Sequence, residues 1–296
     1  MFSAPDRRSA RRPFCSDISR ENDEPLDATA SRIDRWLLVE YRGLWSSDAL
    51  AGSGLSDQVK ARLRELRSAH PHTRLLLIRR PDRRHHPSLA TYVADSRVGH
   101  ERLGRLDIEH HEDLREVDPW QQATPLDGPL FLACTHGKHD PCCARYGRPL
   151  FDGLNEQLPA DSAWQCTHVG GDRFAANAVC LPHGVYYGRV DRDDVPDLVD
   201  EYLAGRISLE HYRGRSCWPF AVQAAERLLR AEHGLIELDD LSLAGVEQRV
   251  DGWTVSFSTP DGLREADVVA KLGELTQLTC NADVARRPLR YVATSR

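Results

Sequence analysis

The 296-residue sequence contains no run of eighteen apolar residues, which is about the length that a membrane-spanning helix requires. Its first thirty residues also lack the apolar stretch of a secretory signal. Basic residues are not in excess, because the formal net charge is -6 at pH 7, and such a charge gives no electrostatic reason to bind nucleic acid. We therefore expect a cytoplasmic protein with no membrane segment and no nucleic-acid partner.

Cysteine, by contrast, is plentiful. The chain has eight cysteines, and without a secretory signal this number favours free thiols, metal binding or redox chemistry over a disulfide framework. Five of the eight lie between positions 134 and 180, where three histidines are interleaved with them. The members of this group are Cys134, Cys142, Cys143, Cys166, Cys180, His136, His139 and His168.

Short apolar runs alternate with helical patterns along the first two thirds of the chain. Residues 36–39 and 75–78 are typical of buried strands, and Ser56 between them can cap a helix. The order strand, helix, strand predicts a parallel pair. Residues 130–133 and 164–167 repeat the pattern around a second predicted helix. The sequence therefore predicts an α/β fold with two such units in tandem.

The C-terminal part has a different pattern. Trp253, Val255 and Phe257 alternate with polar residues, which is typical of a half-buried strand. Proline and glycine in residues 121–129 indicate a linker. The predicted organisation is a disordered tail at 1–30, an N-terminal α/β domain at 31–122, a second α/β domain at 129–232 and a β-rich accessory module at 233–296.

Segment 134–143 is the first motif with chemical content. It carries the thiols of Cys134 and Cys143 at its two ends, and Gly137 and Pro141 between them favour a loop that folds back. Thiolates are soft ligands that suit iron-sulfur clusters or zinc. The spacing alone matches neither the plant-type ferredoxin run nor a standard zinc ribbon, so buried, inert cysteines are the alternative.

Segment 167–177 is the second motif. It joins His168, the pair Gly170 and Gly171, Asp172 and Arg173 in one short stretch. Two glycines can adopt positive φ and let the chain approach another group closely. The alternative is a structural turn with a surface contact between Asp172 and Arg173. Both motifs follow predicted strands, and the ends of strands are where ligands bind in open α/β sheets.

Together these two motifs, with the segment 181–189, resemble the sucrase/ferredoxin-like family. The similarity extends to Cys15 and Ser16 near the N-terminus and to residues 212–215, so it covers roughly residues 15 to 230. It implies a thioredoxin-like ferredoxin domain in the second unit, and hence two thioredoxin-like α/β units in tandem with a small C-terminal accessory module. Nothing in the sequence resembles the carboxylate pair of a glycosidase.

The resemblance also implies a set of ligands. Relatives hold a [2Fe-2S] cluster with two cysteines on one iron and two histidines on the other, and the matching positions here are Cys134, Cys143 and His168. The second histidine falls where this chain has Asp172, which would add negative charge and remove one proton-coupling site. Three outcomes are open: Asp172 is a ligand, the cluster is lost, or another residue completes the site, namely Cys142, Cys166 or His139.

The function that follows is single-electron transfer between a reductase and an unknown partner redox protein. Such a chain is an electron carrier rather than an enzyme with its own substrate. One alternative is a thiol-redox or zinc-binding protein that uses Cys134, Cys143 and His168 with one further ligand. Another is a cluster-free binding module, in which the turn at residues 170–173 recognises an anion.

Overall fold

The computed structural model describes residues 13–81 and 86–296. Its helices are α1 Cys15–Glu21, α2 Asp57–Ser68, α3 Pro119–Gln122, α4 Pro141–Gln157, α5 Val195–Leu203 and α6 Phe220–His233. Three short 3-10 turns lie at His111–Arg115, Asp172–Phe174 and Arg192–Asp194. The strands are β1 Arg35–Glu40, β2 Thr73–Arg79, β3 Leu89–Asp95, β4 Arg102–Ile108, β5 Thr124–Pro125, β6 Leu130–Cys134, β7 Ala163–Cys166, β8 Ala178–Leu181, β9 Val185–Tyr187, β10 Tyr212–Arg215, β11 Ser242–Gln248, β12 Trp253–Thr259, β13 Gly262–Leu272 and β14 Leu289–Ser295.

The first unit is built around a parallel pair. Strands β1 and β2 run parallel with α2 between them, and β3 and β4 continue the sheet antiparallel on the other side of β1. Ser56 begins α2 as its N-cap, because its side chain accepts a hydrogen bond from the Val59 N–H. Val59, Leu63 and Leu66 then fall on the buried face of the helix.

The second unit repeats this topology. Strands β6 and β7 are parallel with α4 between them, and β8 and β9 follow antiparallel beyond β6. The two units join where β2 pairs antiparallel with β7, which produces one ten-stranded sheet in the order β10-β9-β8-β6-β7-β2-β1-β3-β4-β5. The α/β class and the tandem arrangement are therefore confirmed.

The chain before β1 is ordered from residue 13 onward. Cys15 and Ser19 on α1 are buried, and the Arg189 guanidinium donates hydrogen bonds to the backbone carbonyls of Ser19 and Glu24. The prediction of a disordered tail is therefore wrong for residues 13–30, while residues 1–12 lie outside the described residues. The composition of this segment is polar, but its buried polar side chains have partners, because Ser19 and Glu24 bond each other and also Arg189 and Arg173.

The C-terminal module is a separate four-stranded sheet in the order β11-β12-β13-β14. Val255 and Phe257 face α6, and the Phe257 ring lies 5.3 Å from the Trp218 ring. The predicted linker at 121–129 contains β5, which pairs with β4. Among the described residues no helix is both long and apolar enough to cross a membrane.

Candidate metal centre

The sulfur side of the site lies where β6 meets the first turn of α4. Cys134 ends β6, and Cys143 lies in the first turn of α4, with both side chains buried. Asp140 is the N-cap of that helix and accepts a hydrogen bond from the Cys142 N–H. Cys143 therefore lies at the start of the helix, where the backbone N–H groups and the positive end of the helix dipole are.

Gly147 sets how closely α4 crosses the end of β6. A Cβ at this position would overlap the carbonyl oxygen of Cys134 and lie 3.0 Å from its carbonyl carbon. Because the obstacle is backbone, it cannot swing away as a side chain could. Glycine at 147 is therefore what brings the two ligand-bearing segments into contact.

The nitrogen and oxygen side lies in the turn after β7. Gly170 and Gly171 have φ of 102° and 80°, a region that side chains disfavour, and Asp172 begins a 3-10 turn directly after them. A Cβ on Gly171 would overlap the Arg213 guanidinium. The glycine pair therefore folds the chain back so that Asp172 meets His168.

The two sides converge on one volume. The ligand atoms of Cys134, Cys143 and His168 all lie within 4.8 Å of one another. The Cys143 Sγ lies 3.9 Å from the His168 Nδ1 and 3.4 Å from the Asp172 Oδ1, and the same Oδ1 lies 2.9 Å from the His168 Nδ1. Two thiols, an imidazole and a carboxylate thus meet between loops that are more than twenty residues apart in sequence.

The three alternates have different positions. The ring of His139 stacks on that of His168 with centroids 3.8 Å apart, and the two lie with Asp172 at ligand distance from one another. Cys142 is turned away, because its Sγ lies 3.2 Å from the Cys280 Sγ. Cys166 is buried opposite Cys134 in the sheet. Among residues 13–81 and 86–296, however, it is not part of any group of three or more possible metal ligands that lie within 4.8 Å of one another.

The acid-base states of the site are coupled. A hydrogen bond from the Cys143 thiol holds the pKa of Cys134 well below the ordinary thiol value, with help from His168 and against the effect of burial. The same bond to Cys134, together with burial, raises the pKa of Cys143 well above it. Burial lowers the pKa of His168, but Asp172 and Cys134 more than offset this and raise it to about 9. Burial raises the pKa of Asp172, but His168, with His139 and Cys143, more than offsets this and brings the pKa below its usual value.

Asp172 does not form the surface contact with Arg173 that was the structural alternative. Its side chain is 8% exposed and faces His168, whereas the Arg173 guanidinium pairs with Glu24 at 2.9 Å. An aspartate that is buried against two metal-binding residue types has more ligand character than a solvated turn residue. The alternative of a salt-bridged turn between Asp172 and Arg173 is therefore wrong.

Two further residues support the site, and His136 is buried there although a solvated loop position was the expectation for it. His136 is buried, bonds the Ser46 carbonyl oxygen through its Nε2 at 2.7 Å, and accepts the His168 N–H through its Nδ1 at 3.3 Å. Arg213 is buried beneath the glycine turn and donates to the Gly170 carbonyl at 3.1 Å. The available signal for Arg213 was its place in residues 212–215, a segment included in the family resemblance.

The site opens on one side. The side chain of His168 is 18% exposed, whereas Cys134 and Cys143 are each 1% exposed. His136, His139 and His168 border a cleft of about 440 Å³ that is also lined by residues 47–50 of the first unit. The thiols are therefore shielded, and the imidazole edge faces solvent.

Comparison with known proteins matches residues 26–214 to the family described as sucrase/ferredoxin-like, which is more than half of the 296 residues. Altered inheritance of mitochondria protein 32 of Meyerozyma guilliermondii is 31% identical over 141 residues, or 43% of this chain and 50% of that protein. The chain thus spans about half the length of the curated relative that it matches.

Among solved structures, the thioredoxin-like [2Fe-2S] ferredoxin from Aquifex aeolicus is 20% identical with a TM-score of 0.29, covering 32% of this chain and 97% of that one. A crystal structure of the wild-type form of that ferredoxin at 1.5 Å resolution is 21% identical with a TM-score of 0.24, covering 27% and 89%.

Proposed function

Because this chain belongs to the sucrase/ferredoxin-like family, we propose that it holds a [2Fe-2S] cluster and transfers single electrons to a partner redox protein. Cys134 and Cys143 are the proposed ligands of one iron, and His168 is a proposed ligand of the other. The observation that carries the proposal is the convergence of these three side chains from two separate loops, with ligand atoms within 4.8 Å.

The donor set fits such a group. Cysteine thiolates are the usual ligands of iron-sulfur clusters, and imidazole replaces thiolate on one iron in clusters of higher potential. The two buried cysteines lie on one side and the nitrogen and oxygen donors on the other, as a cluster with mixed ligands requires. When bound, the cluster would supply a one-electron couple at this position.

Asp172 is the proposed fourth ligand, because it occupies the position of the family's second histidine and its Oδ1 lies 3.4 Å from the Cys143 Sγ. His139 is the competing residue, since its ring stacks on that of His168 at 3.8 Å. A carboxylate would make the site more negative and lower its reduction potential relative to a second imidazole. Asp172→Ala and His139→Ala therefore separate the two assignments.

The residues around the cluster site orient its open edge. His136 holds the backbone N–H of His168, and the Arg74 guanidinium donates to the His168 carbonyl at 2.6 Å. These contacts present the exposed edge of His168 to the cleft, while burial keeps water from Cys134 and Cys143. We propose that the partner redox protein docks over this cleft, because His168 is the most exposed of the four proposed ligands.

Anaerobic purification from an iron-replete host tests the proposal. We expect two irons and two acid-labile sulfides per chain, a brown colour and a paramagnetic signal after reduction. Cys134→Ser and Cys143→Ser should lose iron and sulfide, whereas Cys166→Ser should keep them as the matched buried control. A colourless wild-type protein with neither iron nor sulfide would rule the proposal out.

Zinc is the second candidate, favoured by the short distances of 3.4 and 3.9 Å from the Cys143 Sγ to Asp172 and His168. Cys134, Cys143, His168 and Asp172 would then bind one tetrahedral ion. One equivalent of zinc without sulfide, lost in Cys134→Ser, would support this function and exclude the cluster.

A further inference from the structure

A second group of thiols lies on the opposite side of the start of α4. Cys15 begins α1, Cys142 lies in the first turn of α4, and Cys280 lies in the loop between β13 and β14. Their sulfurs form a triangle with sides of 3.5 Å from Cys15 to Cys142, 3.2 Å from Cys142 to Cys280 and 3.6 Å from Cys280 to Cys15. Three distant parts of the chain thus bring three thiols to one point.

The size of this triangle fits a single ion. With a zinc-sulfur bond of about 2.3 Å, two sulfurs of a tetrahedral site are about 3.8 Å apart. The observed sides are slightly shorter, so an ion could enter with a small expansion. A disulfide requires sulfurs about 2.05 Å apart, and all three residues are free thiols here.

Asp140 is the nearest carboxylate and completes a four-ligand group, all of whose ligand atoms lie within 4.8 Å of one another. Its Oδ2 lies 4.0 Å from the Cys15 Sγ and accepts hydrogen bonds from the Cys280 N–H at 2.7 Å and the Thr279 hydroxyl at 2.8 Å. Asp140 therefore fixes the Cys280 loop against the start of α4.

Hydrogen-bond donors also point at the sulfurs themselves. The Ser16 hydroxyl donates to the Cys142 Sγ at 3.2 Å, and the Cys15 N–H donates to the Cys280 Sγ at 3.4 Å. Donors of this kind stabilise thiolates that bind a metal and orient them. Inert cysteines packed in an apolar core would not need them.

We propose that Cys15, Cys142 and Cys280 bind one zinc ion, with the Asp140 Oδ2 as the fourth ligand. The site is distinct from the cluster site, because Cys142 points away from the ligands around Cys143. Cys280 lies outside residues 26–214, which match the family, and also outside the wider resemblance that includes Cys15. The ion would join α1 and the loop after β13 to the helix that carries Cys143, and thereby hold both terminal regions against it. Cys280 is partly exposed and gives the ion access.

The full chain with Cys134→Ser tests this proposal, because that change removes a sulfur from the other site. After chelation under reducing conditions, the protein is titrated with Co²⁺ as a spectroscopic probe and then with Zn²⁺. We expect one equivalent of cobalt with the visible spectrum of a tetrahedral, thiolate-rich site, displaced by zinc. X-ray absorption of the zinc form should show three sulfurs at about 2.3 Å.

Cys280→Ser in the same background should lose this cobalt spectrum, whereas Cys217→Ser, a buried cysteine outside both groups, should keep it. Cys280 lies in a loop and is partly exposed, so serine is tolerated there; circular dichroism checks the fold. Absence of stoichiometric binding, an unchanged spectrum in Cys280→Ser, or a disulfide among the three cysteines would overturn the proposal. Iron and sulfide in the wild type are measured separately, so failure here leaves the cluster proposal untouched.

Discussion

Gly147→Ala tests whether the contact between α4 and β6 forms the cluster site. In a helix interior this change alone stabilises by about 1 kcal/mol, because alanine has less conformational entropy to lose. At position 147, however, the new Cβ overlaps the Cys134 carbonyl oxygen. Overpacking of this kind typically costs about 1–3 kcal/mol, and a backbone obstacle places the cost at the upper end. We therefore expect a net loss of about 1–2 kcal/mol, or roughly 2–8 °C in Tm for a domain of this size.

Gly153→Ala is the matched control in the same helix. A Cβ at 153 would lie 3.1 Å from the Val195 Cγ2, which is a side-chain atom that can move slightly. We expect this variant to be as stable as the wild type or more stable. Urea denaturation of both variants gives the free energy of unfolding, and iron analysis gives the cluster content. Because α4 must move away from β6 in Gly147→Ala, iron should fall in that variant alone.

Equal stability of the two variants, or full iron content in Gly147→Ala, would refute this reasoning. The first result would mean that the helix and the strand do not meet as closely as the Cys134 carbonyl contact requires. The second would mean that the spacing of Cys134 and Cys143 tolerates the displacement.

Two further predictions concern buried charges. Arg80→Met should lower the free energy of unfolding by about 1–3 kcal/mol, because it removes the guanidinium that lies 3.2 Å from both oxygens of Glu40, which is 1% exposed. Glu40 then keeps Arg42 at 3.2 Å and the Ala90 N–H at 2.9 Å as partners. Urea denaturation measures the free energy of unfolding. The double variant Arg80→Met with Glu40→Met should recover much of the loss. A cost of Arg80→Met below about 1 kcal/mol would contradict this prediction. Burial raises the pKa of Asp95, but the hydrogen bonds of Arg97 and the charges of Arg35 and Arg97 together more than offset this and lower the pKa. The contribution of Asp95 to stability is therefore present above the unfolded value of 3.8 and is lost as the pH falls through the folded pKa. The Tm advantage of the wild type over Asp95→Asn should therefore shrink between about pH 5 and pH 3, and a constant advantage over that range would contradict the assignment.

The α/β class and the principal candidate ligands were predictable because their signals are local. Short apolar runs and the cap at Ser56 mark strands and helices within a few residues. The motifs around Cys134 and His168 end adjacent parallel strands, and strand order in such units brings those ends together. Asp172 could be placed in the site by motif alone, and the structure puts its carboxylate 2.9 Å from His168.

Only the tertiary structure decided which cysteine belongs to which group. Cys142 and Cys143 are adjacent in sequence, but neighbouring residues of a helix point about 100° apart. Cys143 therefore faces His168, whereas Cys142 faces Cys15 and Cys280. Local patterns also missed the ordered segment from residue 13, where Ser19 and Glu24 are paired with Arg189 far along the chain. The contact between the Cys15 and Cys280 sulfurs joins residues that are 265 positions apart. The periodicity of a strand or helix carries no information about a contact of that length. The contact forms only when the terminal segments pack against the folded second unit.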